Sequence, residues 1–233
     1  MGDLSEIAVC RRDGAGPTII FLPGYASDMA GSKAMALDAW SVRTDRAFVR
    51  FDYRGCGENA GAFEDFTLED WCDDALSVID RTPGPIVLVG SSMGGWLMVL
   101  AALARPHRVA ALVGIAAAPD FTEWGFDEGQ KLALARDERI AEPSIYGPPL
   151  VTTRDFWESG QRNLVLGGTI GLDIPIRLLQ GQEDEAVPWR RSLMLAERLR
   201  SADVQIVLVK DGDHRLSRPN DIQLLIKTIE SLP

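Results

Sequence analysis

Short runs of β-branched and aliphatic residues alternate along this chain with stretches whose apolar positions recur three and four apart. Ile7 to Arg11 begins the series as a short strand candidate, and "GPTIIFLPG" follows as a buried strand bounded by Pro17 and Gly24. "SKAMALDAWSV" takes up helical spacing, "RAFVRFDYRG" returns to strand, and "TLEDWCDDALSVIDRT" is an amphipathic helix with Thr67 as its N-cap. "GPIVLVG" has the unbroken apolar character of a parallel strand covered on both faces. The alternation resumes with "VAALVGIAAAP", "IPIRLLQG", the helical "WRRSLMLAERLRS", the strand "VQIVLVKDG" and a closing helix "RPNDIQLLIKTIESL" with Pro219 in its first turn. Strands and helices in this order predict an α/β fold with a mostly parallel central sheet and helices on both faces.

One stretch leaves the rhythm. Between Pro119 and Asp173 lie Phe121, Trp124, Phe126, a helical "EGQKLALARDERI", a Pro-rich "EPSIYGPPL" and a helical "TRDFWESGQRN" that carries Trp157. None of it reads as a sheet strand. A connection of that length in a compact domain is usually functional. Residues 119–173 are therefore expected to form a lid inserted into a single domain spanning 1–233, with Phe121, Trp124, Phe126 and Trp157 lining an apolar substrate pocket.

Between the strand "GPIVLVG" and the apolar helix after it stands Gly90-Ser91-Ser92-Met93-Gly94, a G-x-S-x-G pattern in a strand-turn-helix setting. That setting places Ser92 on a sharp turn beside a helix N-terminus, where backbone N–H groups favour developing negative charge. Its neighbour Ser91 points the other way and is read as structural. A serine nucleophile needs a base, and the chain has two histidines. His107, in "RPHRV", falls on a loop at the opposite end of the sheet. His214, in "KDGDHRLS", follows the last strand on the edge where open α/β sheets assemble their sites. The acid is expected between them in sequence, on "LLQGQEDEAVPW", where strand end and tight turn favour Asp184 over Glu183 and Glu185. Asp211, Asp213 and Asp120 are the alternatives. An oxyanion hole would come from the backbone N–H groups of Met93 and of Tyr25, the latter in the turn "LPGY". The Tyr25 side chain either lines the pocket or packs as a core aromatic.

Composition narrows the function classes. The 233 residues include 46% hydrophobic and 25% charged positions, so the chain should fold. A net charge of -10 and the lack of a basic stripe argue against nucleic-acid partners. Three scattered cysteines, Cys10, Cys56 and Cys72, form no C-x-x-C pair and fit a reducing compartment rather than a disulfide framework or zinc site. No apolar run approaches the roughly 18 residues of a membrane span, so stable membrane insertion is not expected. With no basic n-region followed by an apolar stretch at the start, the expectation is a cytoplasmic protein. Serine chemistry of this kind is expected to need no metal and no cofactor.

The elbow, with "FDYRGCGEN" and its D-x-R-G-x-G turn, resembles the α/β-hydrolase superfamily. "FLPGYASDMAGSKA", "VRFDYRGCG", "GSSMGGWLM", "PIRLLQG", "VPW", "DHR" and "DIQLLIKTI" resemble more narrowly its mitochondrial branch of palmitoyl-protein thioesterases and acyl-glucuronide esterases, over Pro17 to Leu232. The resemblance implies the α/β-hydrolase fold and a serine hydrolase of acyl esters or thioesters, with nucleophile, acid and base on Ser92, Asp184 and His214. Its partner would be a small acyl ester or thioester or an acylated protein. Gln180 departs from the pattern, standing where many such hydrolases carry histidine. Rival functions are a C–C or amide hydrolase using the same triad, or a binding protein on a hydrolase fold.

Overall fold

A computed structural model of the chain describes residues 7–142 and 149–232. Seven strands form one sheet: β1 (Val9–Arg12), β2 (Ala15–Leu22), β3 (Arg46–Phe51), β4 (Ile86–Ser91), β5 (Val109–Ile115), β8 (Ile176–Gly181) and β9 (Val204–Val209). They are ordered β1-β3-β2-β4-β5-β8-β9, all neighbours parallel except β1, which runs antiparallel to β3. The alternating side-chain direction of a strand sorts the apolar residues into two cores. Ile20, Leu22 and Leu88 point to the face covered by α2 (Leu68–Asp80), α3 (Met93–Ala104) and α7 (Arg190–Arg198). Ile19, Phe21, Val87 and Val89 point to the face covered by α1 (Ser32–Thr44) and α8 (Pro219–Glu230). Central strand β4 is buried at all six residues, which is why its sequence shows no polar alternation.

Thr67 caps α2 in a reciprocal pair with Asp70, and Pro219 opens α8, as the spacing predicts. The D-x-R-G-x-G turn is a structural clasp. Asp52 accepts the backbone N–H groups of Met29 (2.6 Å) and Glu58 (2.9 Å), and Arg54 pairs with buried Asp74 at 2.7 Å. It thereby ties the loop after β2 to the loop after β3.

The chain path reverses between β2 and β4: from β2 it proceeds outward to β3, from β4 outward to β5. A crevice opens at such a switch point, at the carboxyl ends of the strands. The turn carrying Tyr25 leaves β2 and the turn carrying Ser92 leaves β4, one on each side of it.

Between β5 and β8 lie α4 (Phe121–Trp124), α5 (Glu128–Ala135), β6 (Ile140–Glu142), β7 (Leu150–Thr152) and α6 (Arg154–Arg162). The two helical patterns read from sequence fall on α5 and α6. The absence of strands does not hold, because β6 and β7 pair as an antiparallel hairpin of three residues each. Segments so short carry too few positions for a period to register. Most of the Pro-rich "EPSIYGPPL" lies outside the described residues.

Candidate active site

Ser92 sits between β4 and α3 with φ 53° and ψ -117°, a conformation costly for any side chain. Three backbone hydrogen bonds hold it there: its N–H donates to Ile115 (2.9 Å), and its carbonyl accepts from Gly95 (2.9 Å) and Ala118 (3.0 Å). The flanking glycines are steric necessities. A Cβ on Gly90 would overlap the Gly94 carbonyl, and one on Gly94 would overlap the Leu22 carbonyl of the neighbouring strand end. Gly24 brings the turn after β2 against the elbow: a Cβ there would lie 3.3 Å from Ser92 Cβ. The expected amide donors, Tyr25 and Met93, are thus adjacent in chain to residues packed around Ser92.

The loops after β8 and β9 close on each other because Gly181 and Gly212 lack side chains at their contact. Gln182 N–H donates to the Val209 carbonyl and Glu183 N–H to the Gly212 carbonyl, both at 2.9 Å. This brings His214 Nδ1 to 2.9 Å from Asp184 Oδ2, leaving Nε2 as the ring nitrogen without the carboxylate. Asp184 Oδ1 accepts the N–H groups of Ala186 (2.9 Å) and Val187 (2.8 Å), and Gln180 Nε2 donates to Oδ2 at 2.9 Å. Burial alone would raise the Asp184 pKa. The hydrogen bonds from His214, Val187 and Gln180 outweigh it and hold the carboxyl below its ordinary range. The His214 loop is clamped from α1, where Lys33 Nζ donates to the Arg215 carbonyl at 2.6 Å. Burial and the charge of Arg215 lower the Lys33 pKa to about 8.

Ser92 and His214 open into one pocket of about 240 Å³, lined also by Tyr25, Ala118, Phe121, Trp124, Gly125, Phe126, Glu142, Leu150, Thr152, Ala186 and Val187. Of the aromatics expected there, Tyr25, Phe121, Trp124 and Phe126 line it, and Trp157 does not. The Trp157 indole N–H donates to the Thr122 carbonyl at 3.1 Å, stitching α6 to α4 instead. Tyr25 both borders the pocket and packs among core aromatics. Its ring packs on Phe63 and Phe156 with centroids 4.8 and 4.9 Å away, while its hydroxyl meets Thr152 Oγ1 at 3.3 Å. Sequence reasoning missed Glu142, Leu150 and Thr152, which reach the pocket through the hairpin it did not foresee.

The other candidates are engaged elsewhere. Asp211 pairs with Arg218, Asp213 accepts the Leu216 N–H, and His107 is exposed on the loop before β5. Asp120 accepts the N–H groups of Val165 and Leu166, each at 2.8 Å, so it ties the two ends of the insertion together. Burial pushes the thiols of Cys56 and Cys72 up to about 12, which removes them as rival nucleophiles. Among the described residues no group of three or more His, Cys, Asp or Glu is placed to hold a metal ion, and no helix is long and apolar enough to cross a membrane.

The family model described as "Alpha/beta hydrolase family" matches residues 19–222, most of the sheet and all the residues just placed. The chain belongs to the α/β-hydrolase family. Among its relatives in that family is mouse "Palmitoyl-protein thioesterase ABHD10, mitochondrial", 42% identical over 237 residues, covering 99% of this chain and 80% of the relative. The human protein of the same name is 39% identical over 239 residues, covering 99% of this chain and 77% of the relative. Two solved α/β-hydrolase structures superpose closely. The mouse α/β-hydrolase domain-containing protein 10 has a TM-score of 0.89 at 41% identity, covering 96% of this chain and 92% of that one. A hydrolase from Agrobacterium vitis S4 has a TM-score of 0.90 at 40% identity, covering 97% and 92%. These relatives correct one expectation. They are named mitochondrial, which overturns the assignment to the cytoplasm. That assignment leaned on the unpaired cysteines and on the character of the first residues; free thiols report a reducing environment without identifying the compartment that provides it, and the first residues of the sequence do not establish a location.

Proposed function

We propose that this chain is a serine hydrolase that cleaves acyl esters or thioesters through a covalent acyl-enzyme, with Ser92 as nucleophile, His214 as general base and acid, and Asp184 as the group that orients His214. The observation that carries this reading is the 2.9 Å contact of His214 Nδ1 with Asp184, made by an imidazole that shares one pocket with a strained Ser92. In the first half-reaction His214 Nε2 takes the Ser92 proton as Oγ attacks the acyl carbon. The oxyanion is held by the backbone N–H groups of Met93 and Tyr25. The carbonyl reforms as the bond to the alcohol or thiol breaks, and His214 returns the proton to the leaving group. Water repeats the cycle on the acyl-Ser92 ester, releasing the acid and restoring the hydroxyl. Asp184 stays ionised throughout, which its depressed pKa supports.

Residues 119–173 act in this reading as a lid on a single domain spanning 1–233. The apolar rings of Phe121, Trp124 and Phe126 favour an acyl chain in the pocket. The thioesterase names of relatives at 39–42% identity support a thioester among the substrates, free or attached to protein, and their mitochondrial names support a mitochondrial location.

The test is kcat/KM across p-nitrophenyl esters of increasing chain length and matching acyl-CoA thioesters, with fluorophosphonate labelling of Ser92. Burial of about 0.8 kcal/mol per methylene predicts a rise of roughly fourfold per carbon until the pocket is full. A flat series would remove the acyl pocket, and an unlabelled protein would remove the serine nucleophile.

A further inference from the structure

Asp184 is not held by its loop alone. Gln180, the residue before the last of β8, is fully buried, and its Nε2 reaches Asp184 Oδ2 at 2.9 Å and the Val187 carbonyl at 3.2 Å. Its Oε1 accepts the hydroxyl of Ser192, 2.9 Å away on α7 and equally shut from solvent. The amide can satisfy these partners in one orientation only. Turned over, it would set Oε1 against a carboxylate and a carbonyl, three acceptors with no proton between them. Gln180 therefore delivers an N–H to the very carboxylate oxygen that receives His214 Nδ1, and does so without carrying charge.

We propose that Gln180, backed by Ser192, is a positioning residue that sets the orientation and the proton affinity of His214 through Asp184 Oδ2. The proposal rests on the serine-hydrolase reading above. Two donors share Oδ2, so each tempers what the oxygen offers the other. An arginine or lysine at this position would neutralise Asp184, and a bare apolar side chain would leave the carboxylate short of a donor in a dry site. The neutral amide does neither: Asp184 keeps its charge for the imidazolium, and its carboxylate plane is pinned by Ala186, Val187 and Gln180 together. Sequence shows only that Gln180 replaces a familiar histidine, and the two side chains differ in a way that matters here. The amide does not titrate, so the support it gives Asp184 is the same at every working pH.

Charged groups near His214 include Asp213 and Arg215 on its own loop, Glu183 and Glu185 on either side of Asp184, Lys33 on α1, whose Nζ reaches the Arg215 carbonyl, and Glu142 of β6, which lines the same pocket. Their charges stay in place when Gln180 and Ser192 are changed.

The experiment is the pH dependence of kcat/KM on a p-nitrophenyl ester for the full chain, its Gln180→Leu and Ser192→Ala variants, and the double variant, with active sites counted by fluorophosphonate labelling. In Gln180→Leu the carboxylate loses a donor and holds the imidazolium more tightly, so the acid limb should move to higher pH by about half a unit. In the same variant kcat should fall about tenfold with KM within about twofold, because the reacting groups are misplaced after substrate is bound. Ser192→Ala should shift the limb the same way by less. The double variant should go no further than Gln180→Leu, since Ser192 acts through Gln180. A labelled wild type whose Gln180→Leu limb is unshifted overturns the proposal alone, as do shifts that add in the double variant. If Gln180→Leu yields no active sites, an unshifted Ser192→Ala limb overturns it. An unlabelled wild type overturns the serine-hydrolase reading and this proposal with it.

Discussion

The pocket wall carrying Ser92 and His214, with Asp184 buried behind it, is made of three turns that each leave a parallel strand, whereas the wall carrying Phe121, Trp124, Phe126 and Leu150 is made of short helices and a hairpin. The first wall inherits its geometry from the sheet: a backbone hydrogen bond to the Ile115 carbonyl and two from Gly95 and Ala118 fix Ser92, and bonds to Val209 and Gly212 fix the turn before Asp184. The second is attached to the body by side chains. Asp120 ties its ends, Trp96 donates to the Asn163 carbonyl at 3.1 Å, the Glu69 N–H donates to Ser159, and Arg162 pairs with Glu69. Backbone pairing survives most substitutions and side-chain pairing does not. A fold arranged this way can keep its chemistry constant while its choice of substrate drifts.

The sharpest way to test the contrast is to strip the first wall of its reactive atom. Ser92→Ala should lower kcat on the order of 10⁴-fold or more and abolish fluorophosphonate labelling, with the unfolding temperature unchanged or higher. Ser92→Gly should be as inactive yet unfold at a higher temperature than Ser92→Ala, because glycine relieves about 1–3 kcal/mol of backbone strain at φ 53°. Equal melting temperatures would mean that the elbow stores no strain.

Next in size, Asp184→Asn should cost roughly 10³ to 10⁴ in kcat, because the proposed mechanism relies on its anion to orient His214. The same variant has a pH signature. Asp184 titrates below its ordinary 3.8 in the folded chain, so its ionised form stabilises the fold above that value. That contribution is lost as pH falls through the depressed folded value. Thermal unfolding should show the wild type losing its advantage over Asp184→Asn as pH drops below about 4. A constant difference between the two down to pH 3 would contradict the depressed pKa.

The second wall should respond in substrate preference. Asp120→Ala leaves the buried N–H of Leu166 and the half-buried N–H of Val165 without their acceptor, at about 1–3 kcal/mol for the buried group. The expected outcome is a several-fold rise in KM for long-chain esters with little change in kcat on the acetate. An equal loss on both substrates would mean that the two walls are not separable. The mildest change, Thr152→Val, removes the partner of the Tyr25 hydroxyl at a cost of about 1 kcal/mol. It should alter chain-length preference by a few-fold at most, as read by the ratio of kcat/KM on long and short esters.

The same division governs what could be read from sequence. Buried parallel strands announce themselves as unbroken apolar runs, so "IVLVG", "ALVGI" and "IRLLQ" were legible, and with them the turns that carry Ser92, Asp184 and His214. The insertion was legible as a departure from rhythm and in two of its helices. Its hairpin was not, because Ile140–Glu142 and Leu150–Thr152 are too short to show alternation. Asp120 read as a spare acid, and its task of tying two chain ends depends on Val165 and Leu166 arriving beside it from far along the chain. Trp157 read as a pocket residue on the strength of being aromatic, although its indole was needed to satisfy a helix carbonyl on α4.

By itself the sequence determined the order of strands and helices, the place of the sharp turn at Ser92, and the loops on which a base and an acid would stand. These follow from local rules: apolar periodicity, the glycines a tight turn demands, and the right-handed winding of parallel strands. Tertiary structure alone decided that Trp157 turns to α4, that Glu142, Leu150 and Thr152 reach the pocket, and that a buried amide at Gln180 and a hydroxyl at Ser192 stand behind Asp184. Those pairings join residues from separate strands and helices, and a side chain's partner at that range is set by how the elements pack.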